Sequence, residues 1–165
     1  MITNNSWTKF YNRDNNYIDY FKQRYKPFLA LIPNKGIILE EGCGPGTVSK
    51  ALNRNDIIQM DIDPMILSLA KNNNKRFIGD LRYNSTKKVD YIITHGVLEH
   101  LSHVDLLKIF TSYLLRTKHF IHYVPSNKYK TPSFGDERLM SKEYWMTFNI
   151  TVIEFNDGFD LLLIK

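Results

Sequence analysis

The chain passes from a strand to a loop within ten residues, Ile37-Ile38-Leu39-Glu40-Glu41-Gly42-Cys43-Gly44-Pro45-Gly46. The apolar run ends at an acidic residue, and the glycine turn leads into Thr47–Leu52, which has the composition of a helix. A strand, a glycine-rich loop and a helix in this order bring bare backbone N–H groups to a ligand at the edge of an open α/β sheet. The glycine spacing is G-x-G-x-G, with Glu40 two residues before Gly42, and it differs from the G-x-G-x-x-G of dinucleotide-binding proteins.

Strand and helix signals alternate along the rest of the chain. Asp63 before Pro64 predicts one helix start, and Ser102 with Asp105 three residues later predicts another. Two final apolar runs flank an Asp-Gly pair, which is a hairpin signal. The order predicts an α/β fold with a doubly wound, mostly parallel seven-stranded sheet and an antiparallel last strand. The strands predicted after the first are Ile57–Asp61, Arg76–Ile78, Val89–Ile93, His119–Val124, Thr151–Phe155 and Phe159–Ile164.

Composition narrows the class of protein. The chain has 165 residues, 43% of them hydrophobic and 24% charged, with a formal net charge of +5. No apolar run approaches the roughly 18 residues of a membrane span, and the first residues do not have the pattern of a signal peptide. The single cysteine, Cys43, excludes an intrachain disulfide and a cysteine-based metal cluster. We therefore expect a cytoplasmic protein with a solvated surface and no membrane partner, and the mild charge does not indicate nucleic acid.

Two acidic residues follow the second and third strands. Asp61 lies 19 residues after Gly42, where a carboxylate can accept hydrogen bonds from both hydroxyls of a ribose. Asp63 is better explained as a helix cap. Asp80 follows Gly79 after the third strand. Because ligands in open α/β sheets bind beyond the carboxyl ends of the strands, these acids and the glycine loop should face one crevice.

The loop pattern Glu-x-Gly-x-Gly-x-Gly and the segment Val97-Leu98-Glu99-His100-Leu101 together resemble the class I, Rossmann-like S-adenosylmethionine (SAM)-dependent methyltransferases of the small-molecule type. The resemblance covers about Ile37 to Val124 and continues more weakly to the end of the chain. It implies SAM as the cofactor, with Glu40 below the amino group of its methionine part, Asp80 on the adenine amino group and His95 beside both cofactor and acceptor. The complete expected cofactor set is Glu40, Gly42, Gly44, Gly46, Asp61, Ile62, Asp80, Leu81 and His95.

The resemblance also implies a domain organisation. Residues 1–165 are expected to form a single methyltransferase domain, with a Rossmann-like core over residues 34–165. Residues 1–33 are rich in aromatic side chains and end at Pro33, and they are expected to form a helical lid over the cofactor. Trp7 and Tyr11 are the lid residues expected to contact it.

Methyl transfer from a sulfonium donor needs mainly alignment of donor and acceptor for in-line displacement. A general base is required only for an alcohol, a phenol or a protonated amine, and the candidates are His95, His100 and Tyr11. We expect no metal site, because His100 and His103 lack a third ligand in register. Cys43 lies inside the cofactor loop, where a nucleophile would not face the acceptor.

The acceptor is not identified by the sequence, and a small molecule is favoured. Lys128, Lys130 and Arg138 follow the fifth strand and suggest a basic rim suited to an anionic or bulky acceptor. A nucleic-acid acceptor stays open, although Thr94-His95-Gly96-Val97 stands where DNA adenine methyltransferases have an Asn-Pro-Pro-Tyr-type tetrapeptide.

Several alternatives to methyl transfer also stay open. The first is a non-catalytic module or partner subunit that binds SAM or S-adenosylhomocysteine. The others are a nucleotide- or NAD-binding α/β protein, which the glycine spacing disfavours, and a non-methylating use of the same cofactor. The oligomeric state is not predicted.

Overall fold

The sheet orders the whole molecule. A computed structural model describes residues 17–83, 88–133 and 135–165, and in this part of the chain seven strands form one sheet in the order β3-β2-β1-β4-β5-β7-β6. The first five strands are parallel, and β7 runs antiparallel to both β5 and β6. This confirms the predicted fold class. The strands are β1 (Ile38–Glu41), β2 (Ile57–Asp61), β3 (Arg76–Ile78), β4 (Tyr91–His95), β5 (His119–Pro125), β6 (Thr151–Phe155) and β7 (Asp160–Ile164).

Helices cover both faces of this sheet. One buried cluster joins the helices before and after β1 to the sheet, and it includes Phe28, Val48 and Ile93. The other packs the long helix before β5 on the opposite face, and it includes Tyr113 and Trp145. The helices are α1 (Tyr17–Arg24), α2 (Lys26–Leu31), α3 (Thr47–Leu52), α4 (Pro64–Ser68), α5 (His103–Arg116) and α6 (Lys142–Met146).

The caps predicted for two of these helices are present. The Asp63 carboxylate accepts a hydrogen bond from the Met65 N–H at 2.8 Å, and Pro64 occupies the first position of α4. The Ser102 hydroxyl oxygen accepts one from the Asp105 N–H at 3.1 Å at the start of α5. Both contacts satisfy backbone donors that a helix start would otherwise leave without partners.

The fourth strand begins two residues later than predicted, at Tyr91 instead of Val89. The Val89 N–H donates to the carbonyl of Arg116, and the Asp90 carboxylate accepts from the Ile37 N–H at 2.7 Å. These two residues therefore bond to the end of α5 and to the residue before β1, ahead of the regular ladder with β1. At the other end β4 continues to His95, so His95 lies in the strand rather than beyond it.

The described part of the aromatic N-terminal segment, residues 17–33, is mostly helical and packs against the core. Phe21 and Phe28 are buried against the sheet, and the Arg24 guanidinium lies 2.5 Å from the buried carboxylate of Asp160 in β7. Trp7 and Tyr11 lie outside the described residues. Among the helices of the described residues, none has the length and apolarity needed to cross a membrane.

The candidate cofactor crevice and its surroundings

The crevice lies where the order of the strands reverses, between β1 and β4. The helix that follows β1 packs on one face of the sheet and the helix that follows β4 packs on the other. In doubly wound sheets this divergence opens a ligand crevice at the carboxyl ends of the strands. The glycine loop after β1 and the turn after β4 border it.

Two glycines of the loop cannot be replaced without displacing neighbours. Gly42 has φ +68°, and a Cβ there would lie 2.6 Å from the Val97 Cγ2 atom. Gly46 has φ +73°, and a Cβ there would lie 2.7 Å from the Gln59 Nε2 atom. The loop needs both the left-handed backbone and the close approach, and only glycine provides both without strain.

Asp61 ends β2 and fastens the glycine loop. Its Oδ2 atom accepts a hydrogen bond from the Gly44 N–H at 2.8 Å, and its Oδ1 atom accepts one from the Asp63 N–H at 2.9 Å. Burial raises the pKa of this carboxyl, while these backbone donors oppose the rise. The neighbouring Ile62 is 58% exposed at the mouth of the crevice, which leaves its side chain accessible to a ligand.

Glu40 is buried beneath the loop with neutral partners. It is 2% exposed, and its Oε2 atom lies 3.3 Å from the Ser49 hydroxyl and 3.4 Å from the Gln59 amide nitrogen. Burial raises its pKa to about 8, with the two hydrogen bonds acting in the opposite direction. Among the described residues, no ion pair includes Glu40, so the site offers an acceptor for a positively charged group.

Glu41 points to the opposite face and has a different environment, which the sequence did not reveal. Its Oε1 atom lies 2.7 Å from the Arg116 guanidinium, and its Oε2 atom accepts a hydrogen bond from the Tyr113 hydroxyl at 2.7 Å. These contacts tie β1 to α5 across the core. The available signal was the pair of acids inside an apolar strand, because a buried carboxylate needs a partner.

His95 lies among aromatic rings at the end of β4. Its ring stacks on Tyr123 with centroids 4.3 Å apart, and the rings of Phe21, Tyr25 and Phe28 surround it. Burial lowers its pKa to about 3, so the imidazole is neutral at pH 7. Its Nε2 atom is buried without a hydrogen-bond partner among the described residues.

A small cavity joins His95 to the cofactor loop. Its volume is about 30 Å³, and it is lined by Tyr17 and Phe21 of α1 together with Glu40, Gly42, Cys43, Thr47, Val48 and His95. This space is enough for about one water molecule. Helix α1 therefore covers the glycine loop closely.

Asp80 and Leu81 lie beyond the end of β3. Asp80 forms a bidentate ion pair with Arg82. The Arg82 Nε atom lies 2.9 Å from Asp80 Oδ1, and the Arg82 Nη2 atom lies 2.5 Å from Asp80 Oδ2. The hydrogen bonds from Arg82 lower the pKa of the Asp80 carboxyl. Leu81 is half-buried and packs against the cluster that contains α5. Residues 79–83 and 88–90 form no helix.

The remaining predicted site residues follow β4 or β5 or lie in the glycine loop itself. The His100 Nδ1 atom lies 2.6 Å from the Asp136 carboxylate, and the Lys128 ammonium donates to the Asp157 carbonyl at 2.6 Å. Lys130 is exposed and Arg138 is half-buried. Cys43 is a free, buried thiol, and burial raises its pKa, which disfavours a nucleophilic thiolate.

Comparisons with known proteins agree with this geometry. Residues 39–114 match a family model described as a methyltransferase domain. No curated protein matches the chain. Among solved structures, the PH0226 protein of Pyrococcus horikoshii OT3 superimposes with a TM-score of 0.74 at 16% identity, over 92% of this chain and 91% of that one.

Two further solved structures have the same fold. A DhpI–SAM–HEP complex matches with a TM-score of 0.76 at 12% identity, over 96% of this chain and 92% of that one. A SAM-dependent methyltransferase of Thermotoga maritima, described as a possible histamine N-methyltransferase, matches with a TM-score of 0.68 at 14% identity, over 96% and 97%.

The family match covers residues 39–114, less than half of the chain, and this segment contains the glycine loop, Asp61, Asp80 and the turn after β4. The solved structures show that the chain has the methyltransferase fold. The fold of the predicted class is therefore confirmed, and the family match agrees with the predicted methyltransferase activity. The alternative of a non-catalytic binding module is not favoured by these matches.

Proposed function

We propose that SAM binds across the glycine loop, with its methionine end over Glu40, its ribose at Asp61 and its adenine near Asp80, Leu81 and Ile62. The observation that carries this proposal is the buried carboxyl of Glu40, which has neutral hydrogen-bond partners and lines a cavity at the loop. The ammonium group of SAM would supply the missing positive charge, because a buried carboxylate is stabilised by an opposite charge nearby.

Binding in this way requires α1 to move. The cavity at the loop holds about one water molecule, and Tyr17 and Phe21 of α1 line it. The methionine end of SAM is larger than this cavity and must displace these side chains, which supports the proposal that residues 1–33 act as a lid over a core of residues 34–165 in one domain.

The reaction transfers a methyl group by in-line displacement. A lone pair of the acceptor attacks the methyl carbon, the carbon–sulfur bond breaks, and its electron pair stays on sulfur to give S-adenosylhomocysteine. Alignment of the two reactants supplies most of what this step needs. His95, whose pKa is held near 3 by burial, is a poor general base, and we propose that it shapes the crevice instead. His100 and Tyr11 remain predictions.

For the acceptor we propose a small molecule. The turn after β4 borders the crevice, and Lys130 is exposed on the loop that follows the neighbouring strand β5. The Thermotoga maritima neighbour is described as a possible histamine N-methyltransferase, which is an example of a small acceptor on this fold. A nucleic-acid acceptor is the second arm of the screen described below.

The single buried thiol also supports the cytoplasm as the proposed location.

The first test is isothermal titration of the protein with SAM, S-adenosylhomocysteine and NAD. We expect the first two to bind and NAD not to bind. The Asp61→Ala variant should weaken binding of both at least about 10-fold, since it removes a charged hydrogen-bond acceptor. Asp56→Ala is the matched control, because Asp56 precedes the opposite end of the same strand and pairs with Arg54.

Equal affinities for SAM in the wild type and Asp61→Ala would refute the assigned site. With binding established, radiolabelled SAM is incubated with panels of small amines, phenols, acids and short RNAs. Labelled product from the small-molecule panel supports the proposed acceptor class, and labelled product from RNA alone overturns it.

A further inference from the structure

Three metal-ligating side chains meet beside the crevice, at the ends of β4 and β5. Glu99, His100 and Glu137 each place a ligand atom so that all of these atoms lie within 4.8 Å of one another. Glu99 and His100 belong to the short 3-10 turn Leu98–His100, and Glu137 belongs to the loop after β5. The Arg138 N–H donates to the Glu99 carbonyl at 2.9 Å, which fixes the loop to the turn.

The Glu99 side chain points into this group from the protein interior. Glu99 is 1% exposed, and within the described residues its Oε2 atom has no hydrogen-bond partner and no ion pair includes it. Its charged neighbours are Glu137 and Asp136, which carry the same sign. An uncompensated buried carboxylate is costly, and a bound cation removes that cost.

The two other ligands are held in place by second contacts. The Asp136 carboxylate lies 2.6 Å from the His100 Nδ1 atom, which holds the imidazole ring in place. The Glu137 carboxylate accepts hydrogen bonds from both the N–H and the hydroxyl of Ser133, each at 2.8 Å. Outer contacts of this kind, above all a carboxylate behind a histidine, orient the ligands of metal sites.

We propose that Glu99, His100 and Glu137 bind a divalent cation of the first transition row. Two carboxylates and one imidazole suit Mn²⁺, Fe²⁺ and Zn²⁺ better than Ca²⁺ or Mg²⁺, which prefer oxygen ligands alone. Three protein ligands leave coordination positions open, as in catalytic metal sites. His103 is not part of the group, because its Nδ1 atom bonds to the Tyr144 hydroxyl at 2.9 Å.

The position of this site connects it to the acceptor side. A Cβ added to Gly96, the residue after β4, would lie 3.5 Å from the Glu99 Oε1 atom. The open positions of a cation here would suit an acceptor with oxygen donors, a consequence that rests on the proposed function. The binding of the cation itself does not rest on it.

The test is titration of the full chain, without SAM, by Mn²⁺ followed by electron paramagnetic resonance and by Zn²⁺ followed by calorimetry. We expect one ion to bind per chain, and Glu99→Gln to lose at least about 100-fold in affinity because the substitution removes a direct ligand. Asp136→Asn keeps all three proposed ligands and weakens the contact behind His100, so affinity should fall about 10- to 100-fold. Glu154→Gln on β6 is the matched control and should bind as the wild type does.

Binding of S-adenosylhomocysteine is measured separately for each variant, and it shows whether the fold and the cofactor crevice are intact. If the wild type binds S-adenosylhomocysteine but binds no cation at about 1 mM, the proposed cation site is wrong and the proposed cofactor site is unaffected. Equal cation affinity in Glu99→Gln and the wild type also overturns it. A cation-induced rise in melting temperature that is absent in Glu99→Gln supports it.

Discussion

Glu40 and Glu41 are consecutive residues of one strand, and their surroundings differ completely. Both are buried, but successive side chains of a strand point to opposite faces. Glu41 faces α5, where an arginine and a tyrosine bind both of its oxygens. Glu40 faces the glycine loop, where a hydroxyl and an amide contact one oxygen at 3.3 and 3.4 Å.

We propose that this difference separates a structural carboxylate from one that binds the cofactor. Glu41 receives its positive partner from within the chain, so its charge contributes to holding two elements together. Glu40 has neutral partners and lines a cavity, so under the proposed binding mode a cationic ligand would stabilise its charge. Adjacent acids in a sequence can thus be assigned to folding and to binding by the charge of the groups that face them.

The largest expected effect is on the Glu41 side. Glu41→Ala leaves the Arg116 guanidinium buried without its carboxylate, and the free energy of unfolding should fall by about 3–5 kcal/mol. Urea denaturation followed by circular dichroism measures this change. The control is Asp19→Ala, which removes an exposed partner of Lys22 and should cost about 1 kcal/mol or less. A similar small loss in Glu41→Ala would mean that the buried pair does not stabilise the fold.

The next effect is on the Glu40 side and concerns ligand affinity. Glu40→Gln keeps the size of the side chain but removes its charge, so SAM should bind about 10- to 100-fold more weakly. The pKa of Glu40 is about 8 in the folded protein and 4.5 in its ordinary state. Because the folded state binds the proton more tightly, Glu40 lowers the stability of the wild type as the pH rises from 4.5 to about 8. The variant should therefore lose less stability from pH 6 to pH 8 in urea denaturation. Unchanged SAM affinity would remove Glu40 from the site.

The smallest expected effect is the release of a proton from Glu40 when the ligand binds. At pH 7 Glu40 is mostly protonated in the free protein, and pairing with an ammonium group lowers its pKa again. Binding of S-adenosylhomocysteine should release close to one proton, measured by titration calorimetry in buffers of different ionisation enthalpy. Asp56→Ala should release the same number and Glu40→Gln almost none. Zero release by the wild type would show that the protonation of Glu40 does not change on binding, which contradicts this prediction.

Local signals explain which parts of the fold could be predicted. The bounds of β2, β3 and β6 agree with the sequence because Asp, Gly and Asn punctuate apolar runs there. The glycine loop and the two acids after β2 and β3 could be placed at one edge of the sheet because parallel strands share their carboxyl ends. The start of β4 was wrong by two residues because Val89 and Asp90 bond to residues distant in the chain.

Contacts between distant residues explain what the sequence could not show. The partners of Glu41 lie 72 and 75 positions away, and Glu137 meets Glu99 across a loop that carries no periodic signal. The burial of His95 among rings of α1 and β5 likewise depends on how α1 docks. Tertiary packing determines each of these environments, and the spacing of residues within one strand does not predict it.

The two edges of the sheet bear on how the protein behaves at high concentration. An exposed strand edge is a template for pairing with another chain, and long, flat, apolar edges lead to aggregation. Here one edge is β3, which has three residues and begins with Arg76, and the other is β6, whose Glu154 lies 3.6 Å from Lys142. The short edge strand β3 and the charged side chains of β6 disfavour pairing with a strand of another molecule. We therefore expect the protein not to form intermolecular sheets at high concentration.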